Sequence, residues 1–330
     1  MKVFDEVLAW LRDNSTKIGS VIELDEWFSE SLPGFYRARM RFQWKEFSLD
    51  AQGIGTSEQE AIVKCLAEYF ERIVVRETKA SSSNGFAAHI NSEEARRRSL
   101  DELLERDAFF SHYLTRTPFE AVDYSAIHGD LHPSILQLFK RVQAKGFDLR
   151  FGMMTCLSGR IGIIAAASNI RSEPKFGVVF STACGDSRTV VLNKVGIELA
   201  GNLAWLLGLE SIEAMSNTDF VKLTKFRAID HRRLGFHLDQ RQWFETMFLP
   251  KDVETQPALS QELNVEFVHH KIPENFDSPP FFIVQAKCPS VQRHFFGLTT
   301  EDKVNIPRLS MFLMRDVKYA ELYLQPSIFG

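Results

Sequence analysis

Glu68-Tyr69-Phe70-Glu71-Arg72 and Glu102-Leu103-Leu104-Glu105-Arg106 are two copies of one pattern, and their meaning decides the reading of the whole chain. In each copy two carboxylates stand three residues apart, so a helix places them on one face. Arginine follows directly in both. A basic residue stands four positions before the first glutamate, Lys64 in one copy and Arg98 in the other. A thinner echo comes later, with Lys194 four residues ahead of Glu198. A lone Glu-x-x-Glu is ordinary on a solvated helix, because Glu is a good surface helix former. The order of charges argues for more than that: surface pairing favours Glu four residues before Lys, whereas all three segments put the base first. A shared site explains such an order. Mg²⁺ takes hard oxygen ligands and is commonly held by one or two carboxylates plus substrate phosphates. Five glutamates suit ions that bridge a triphosphate, with the basic residues as phosphate clamps.

Outward from these copies the patterning alternates between helix and strand. Gly53-Ile54-Gly55-Thr56-Ser57 is expected to break a strand and start a helix. Thr56 or Ser57 serves as N-cap and Glu58 and Glu60 fill the first turn. That helix runs to about residue 75, with Ile62, Leu66, Phe70 and Ile73 on its core side. Residues 1–13 read as a short amphipathic helix. Residues 35–42 alternate, setting Arg37, Arg39 and Arg41 opposite Ala38, Met40 and Phe42. This is a half-buried strand whose arginine face is either solvated or aimed at phosphates.

Between the two copies, residues 81–85 form a turn-prone loop and 86–90 a short apolar bridge, after which Ser92, Glu93 and Glu94 open the second helix. Strands are expected at 149–154, 161–165 and 176–180. Residues 181–187 then read as a glycine-bearing loop, a weak anion-binding signal, leading into the helix of Lys194 and Glu198. Helices follow in 211–262, and two more strands at 265–268 and 281–284. The copies lie 34 residues apart, a tetratricopeptide period. The pattern occurs only twice at that spacing, and it shares charged rather than small or aromatic residues, so a helical solenoid is not expected. With no low-complexity linker, the expectation is one α+β domain with mixed and antiparallel sheets over residues 1–330. Its N-terminal part is 1–50, a core bearing the motifs is 51–210 and a C-terminal part is 211–330.

Composition narrows the function classes. The chain is 45% hydrophobic and 25% charged, which suits a soluble protein with a sizeable core. A formal charge of −4 gives no electrostatic case for nucleic acid as partner. Four cysteines without a Cys-x-x-Cys pair argue against a zinc cluster or disulfide framework and suit a reducing cytoplasm. Asp5 and Glu6 come too early for a signal peptide, and the longest apolar run, 161–167, is too short to span a bilayer. There is no Gly-x-x-x-x-Gly-Lys-Ser/Thr loop. His269-His270 reads as structural, and Cys184 has no histidine near it in sequence to make it a nucleophile.

These residues resemble the YcaO family. Residues 53–72 are similar to its first signature, 83–88 followed by 100–108 to its second, and 181–200, more thinly, to its third. The resemblance implies an α+β fold with an unusual ATP site. In it Glu68, Glu71, Glu102, Glu105 and Glu198 bind Mg²⁺ or support the ligands, and Lys64, Ser81, Asn84, Arg106 and Lys194 contact ATP. It implies ATP-dependent activation of a peptide backbone carbonyl. A neighbouring Cys, Ser or Thr would yield thiazoline or oxazoline, external sulfide a thioamide, and an internal amine an amidine. The leading expectation is the cyclodehydratase subunit of an azoline-forming synthetase acting on a ribosomal precursor peptide. The implied partners are a separate leader-peptide-recognition protein resembling a ubiquitin-activating enzyme, a flavin-dependent dehydrogenase and further copies of the chain, with no membrane or nucleic acid. The alternatives are thioamide formation, a protein-thiolation accessory role and a non-catalytic scaffold. Two positions depart from the family's pattern: Gly201 stands where the third signature usually has Gln, and Pro326 alone stands where azoline-forming members carry a proline-rich tail. No catalytic base stands out.

Overall fold

Helix α1 (Lys2–Ile18) opens the computed structural model, which describes residues 2–80, 83–209, 211–249 and 263–329. Contacts cluster into two units, residues 1–103 with 265–288, and residues 104–264 with 289–330. In the first unit β1 (Glu23–Leu24), α2 (Glu26–Ser31), β2 (Tyr36–Trp44) and β3 (Phe47–Gly55) follow α1, and the three strands pair antiparallel in the order β1-β2-β3. The alternation of β2 does what it predicts: Ala38, Met40 and Phe42 are buried with Leu49 and Ala51 of β3. They pack with Leu66, Tyr69, Phe70 and Ile73 of α3 (Glu58–Glu77). The arginine face has another purpose than phosphate. Arg37 and Arg39 both bind the carboxylate of Asp25, the N-cap of α2, while Arg41 stands in solvent beside Asp50.

The glycines before α3 do not break the strand, since β3 runs through both Gly53 and Gly55. Their purpose is proximity. A Cβ on Gly53 would lie 2.2 Å from the Ala61 carbonyl oxygen and 2.4 Å from the Cys65 nitrogen, so only glycine lets β3 lie this close to α3. Ser57 is the N-cap, its hydroxyl accepting from the Glu60 backbone N–H at 3.2 Å. The apolar stretch after the serine loop is likewise a strand, β4 (Phe86–His89). It pairs antiparallel with β11 (Phe282–Lys287), which pairs with β10 (Glu266–His270). His270 stacks on Phe86 and bonds Gln285, a structural role.

Helix α4 (Ser92–Thr115) carries the second copy of the motif and continues into the second unit. There β5 (Phe119–Val122), α5 (Pro133–Ala144), β6 (Asp148–Met154), β7 (Ile161–Asn169) and β8 (Phe176–Gly185) precede α6 (Arg188–Leu207). Short helices α7 (Asn217–Phe220), α8 (Ala228–Phe236) and α9 (Gln240–Met247) follow, then β9 (Phe248–Leu249) and later α10 (Ile306–Leu313). The sheet order is β8-β7-β6-β5-β9, antiparallel except for β5 with β9. Residues 181–185, whose composition reads as loop, are strand. They pair with Ile161 to Ala165 of β7, leaving only Asp186 and Ser187 before α6, so the glycine-bearing anion loop is not formed. By length and composition α6 could cross a membrane, yet Val191, Leu192, Val195, Leu199 and Leu203 are buried in the protein.

His112 on α4 makes one consequence of this packing measurable. Its Nδ1–H donates to the Thr117 carbonyl at 2.9 Å and its Nε2 accepts from the Thr155 N–H at 2.9 Å, so both partners demand the neutral ring. Burial pushes its pKa down to about 4 from the usual 6.5. A histidine held neutral stabilises the fold fully above pH 6.5, and that contribution is lost as pH falls from 6.5 toward 4. The loss amounts to about 3 kcal/mol. Urea unfolding over a pH series is expected to show it, with a shallower fall in His112→Asn.

Candidate functional site

In the first unit the motif residues of α3 gather around Glu71. Burial, then the charges of Glu102 and Glu68, push the Glu71 carboxyl well above the ordinary carboxylate range. Arg72 and a hydrogen bond with the Ala88 backbone offset this only in part. Glu68 is committed to the protein on both oxygens: Oε1 takes the Arg72 Nε at 3.0 Å and Oε2 the Gln52 backbone N–H at 2.9 Å. Both oxygens thus have partners within the protein. Glu71 beside Glu102 is the pair whose like charges call for a cation. Asn84 is buried just before Gly85, which holds a φ of 73° and meets the Ala286 carbonyl closely. Ser81 lies outside the described residues.

The base-first order of charges has a simpler cause than a shared site in two of its three instances. Lys64 binds Glu60, four residues upstream, at 2.7 Å and donates to the Ile54 carbonyl at 2.9 Å. Arg98 lies 3.7 Å from Glu94, again four residues upstream. Both are Glu-before-base pairs of the favoured kind. Lys194 has Val190 at that position and reaches across to another helix instead.

In the second unit that lysine meets Glu105, which is 4% exposed. Glu105 Oε1 accepts from the Thr182 hydroxyl at 2.7 Å and lies 3.2 Å from Arg106 Nη1, and its Oε2 is 3.4 Å from Lys194 Nζ. Burial alone would raise its pKa, but Lys194, Arg106 and the Thr182 hydroxyl outweigh burial and hold the carboxyl below its ordinary range. Glu105 is thus an ionised carboxylate kept ready in a buried place. The Arg106 guanidinium lies 4.2 Å over the Phe329 ring. Glu198 is exposed one turn beyond Lys194 on α6, and Gly201 is buried further along the same helix. Cys184 and Cys156 lie 3.9 Å apart, both buried. Contact with Cys184, then burial, pushes the Cys156 thiol well up, so it is no nucleophile.

Thr182 and Phe329 touch the motif residues without standing out in the sequence. Thr182 was within reach of pattern reading, because Phe180, Thr182 and Cys184 continue the period of two past the apolar run. Phe329 carries no local signal. Among the described residues no three Asp, Glu, His or Cys side chains gather to close a metal site alone. Mg²⁺ takes one or two carboxylates and draws its other ligands from water and phosphate. The crowded Glu71 and Glu102 are donors of the right chemistry, and so is ionised Glu105.

A family model described as YcaO cyclodehydratase, ATP- and Mg²⁺-binding, matches residues 76–268, more than half of the chain. The chain belongs to the YcaO family. ATP and Mg²⁺ are its cofactors, and it is an ATP-dependent enzyme of that family. The match begins after Glu68 and Glu71. Three solved structures share the YcaO fold. YcaO from Methanopyrus kandleri bound with AMPPCP and Mg²⁺ is 15% identical, with a TM-score of 0.59 over 88% of this chain and 91% of that one. A heterocyclase in complex with substrate and cofactor is 14% identical, with a TM-score of 0.62 over 96% of this chain and 56% of that one. The E. coli microcin synthetase McbBCD complex contains a chain 10% identical, with a TM-score of 0.57 over 93% of this chain and 96% of that one. At these identities the likeness is one of fold. A search of curated protein sequences gave no match.

Proposed function

We propose that this YcaO protein uses ATP to convert Cys, Ser or Thr residues of a ribosomal precursor peptide into thiazoline or oxazoline rings. The observation that carries the reading is the crowding of Glu71 by Glu102 and Glu68 in a chain of an ATP- and Mg²⁺-binding family. Glu71, Glu102, Glu105 and Glu198 would hold Mg²⁺, with Glu68 bracing α3. Lys64, Asn84, Arg106, Lys194 and Ser81 would hold the nucleotide. Bound Mg²⁺ supplies charge neutralisation on the phosphates during phosphoryl transfer.

The peptide side-chain nucleophile adds to the preceding carbonyl carbon and loses its proton. The resulting alkoxide attacks the γ-phosphorus, and ADP leaves. The amide nitrogen then loses its proton as the C–O bond breaks and phosphate departs, leaving a C=N bond in the ring. The sum is peptide plus ATP giving azoline, ADP and phosphate, and an amide oxygen becomes a competent leaving group only through that phosphorylation. The likeness to a chain of a synthetase complex supports action with partner proteins, which we take to be a separate leader-binding protein related to ubiquitin-activating enzymes and a flavin-dependent dehydrogenase.

Incubation with ATP, Mg²⁺, precursor peptide and leader-binding partner is expected to remove one water per ring, with one ADP formed for each, by mass spectrometry and nucleotide assay. Exchange of oxygen for sulfur in the peptide, or no ATP consumption with any peptide and partner, would overturn the azoline reading.

A further inference from the structure

Asp107 and Arg308 form an ion pair with no exposed side-chain surface on either partner. The contact is a fork: Arg308 Nε lies 2.9 Å from Oδ1 and Nη2 lies 2.7 Å from Oδ2. The same Oδ1 accepts the Gln292 backbone N–H at 2.7 Å. Gln292 in turn accepts the Asn305 N–H at 2.7 Å and donates to the Lys303 carbonyl, while Asn305 caps α10 by accepting from the Arg308 N–H. A polar knot spanning residues 289–308 therefore closes on one carboxylate of α4. That carboxylate is the next residue after Arg106 and two after Glu105.

Stability does not explain the choice of a buried ion pair. Stripping water from two charges costs about what their attraction returns, and apolar side chains of similar volume commonly do as well or better. Direction is what the apolar pair lacks. A planar guanidinium docked on both oxygens of a carboxylate accepts one orientation of that carboxylate, hence one rotation of the helix carrying it. Each residue advances an α-helix by about 100°, so a modest roll of α4 would turn Glu105 away from Thr182 and Lys194.

We propose that the Asp107–Arg308 pair is a positioning device that sets the rotation of α4 and thereby aims Glu105 and Arg106 for Mg·ATP. This rests on the reading of those two residues as nucleotide-site groups. With no exposed side-chain surface the pair has no face to offer nucleotide or peptide, and it acts through its neighbours on the helix.

The test compares wild type with the double substitution Asp107→Leu/Arg308→Met, using urea unfolding for stability and calorimetric titration with Mg·AMPPNP for affinity. The double variant is expected to keep the wild-type unfolding midpoint and to bind Mg·AMPPNP about tenfold more weakly. Arg308→Lys, which keeps the charge but loses the fork, is expected to weaken binding by a smaller factor. A double variant with wild-type midpoint and wild-type affinity overturns the proposal. Should the double variant fail to fold, unchanged affinity in Arg308→Lys does so. Glu105→Gln separates the two layers. If it binds like wild type, the site reading falls and the positioning role with it. If it binds weakly while the double variant does not, the positioning role alone falls.

Discussion

Glutamine in place of Glu71 is expected to cut Mg²⁺-dependent ATP turnover by about 10²-fold or more, while leaving the nucleotide-free protein at least as stable as before. Both halves of that result come from the same electrostatics. The Glu71 carboxylate is disfavoured by burial and by the charges of Glu102 and Glu68, and Arg72 with the Ala88 backbone offsets only part of this. A neutral amide of the same shape relieves the repulsion, worth about 1 kcal/mol in cases of this kind. It also removes the charge a divalent cation would seek. Thermal unfolding with and without Mg·ATP checks the pair of outcomes: wild type should gain stability from Mg·ATP, and the variant should start higher and gain little. A variant that hydrolyses ATP at the wild-type rate would end the assignment of Glu71 to the metal. Glu105 occupies the equivalent place in the second copy yet has the opposite character, its carboxyl held down by Lys194 and Arg106. The repeated motif therefore supplies two differently tuned carboxylates.

That difference shows where sequence reading stops. Helices α3 and α4 were legible because caps and apolar periodicity are local, and the pairing of Glu68 with Glu71 and Glu102 with Glu105 on shared faces follows from spacing. The meaning of the basic residues was not. The repeat sets Lys64 and Arg98 against glutamates downstream, whereas their partners, Glu60 and Glu94, lie upstream. Residues 181–185 are rich in small and polar types that suggest a loop. They are strand because β7 supplies the pairing, which local composition does not encode. The knot around Asp107 joins residues 201 positions apart, and the strand that makes β4 a strand comes from the far end of the same unit. Such long-range closures leave no periodic trace.

Gly53→Ala is expected to be the most damaging single-methyl change in the first unit, costing about 3 kcal/mol or more. The reason is space, not backbone conformation. An added Cβ would lie 2.2 Å from the Ala61 oxygen, 2.4 Å from the Cys65 nitrogen and 2.8 Å from the Lys64 carbonyl carbon, all of them backbone atoms of α3. No side-chain rotamer can yield, so β3 and α3 must move apart. Their separation would loosen Ala51 and Leu49 from Leu66, Tyr69 and Phe70, which share one core. It would also strain the bond from the Gln52 N–H to Glu68, next to the substituted residue. Gly159→Ala makes the contrast. Gly159 has open space around it and a φ of 66°, so an added methyl meets only the left-handed backbone penalty of about 1 kcal/mol. Urea unfolding should therefore rank Gly53→Ala well below Gly159→Ala in stability. Mg·AMPPNP affinity should fall only in the former, because Gly53 sits under the helix of Glu68 and Glu71 and Gly159 does not. Equal midpoints for the two variants would mean that β3 and α3 separate without cost. In that case the glycines beside the first motif would not be what holds its carboxylates in place.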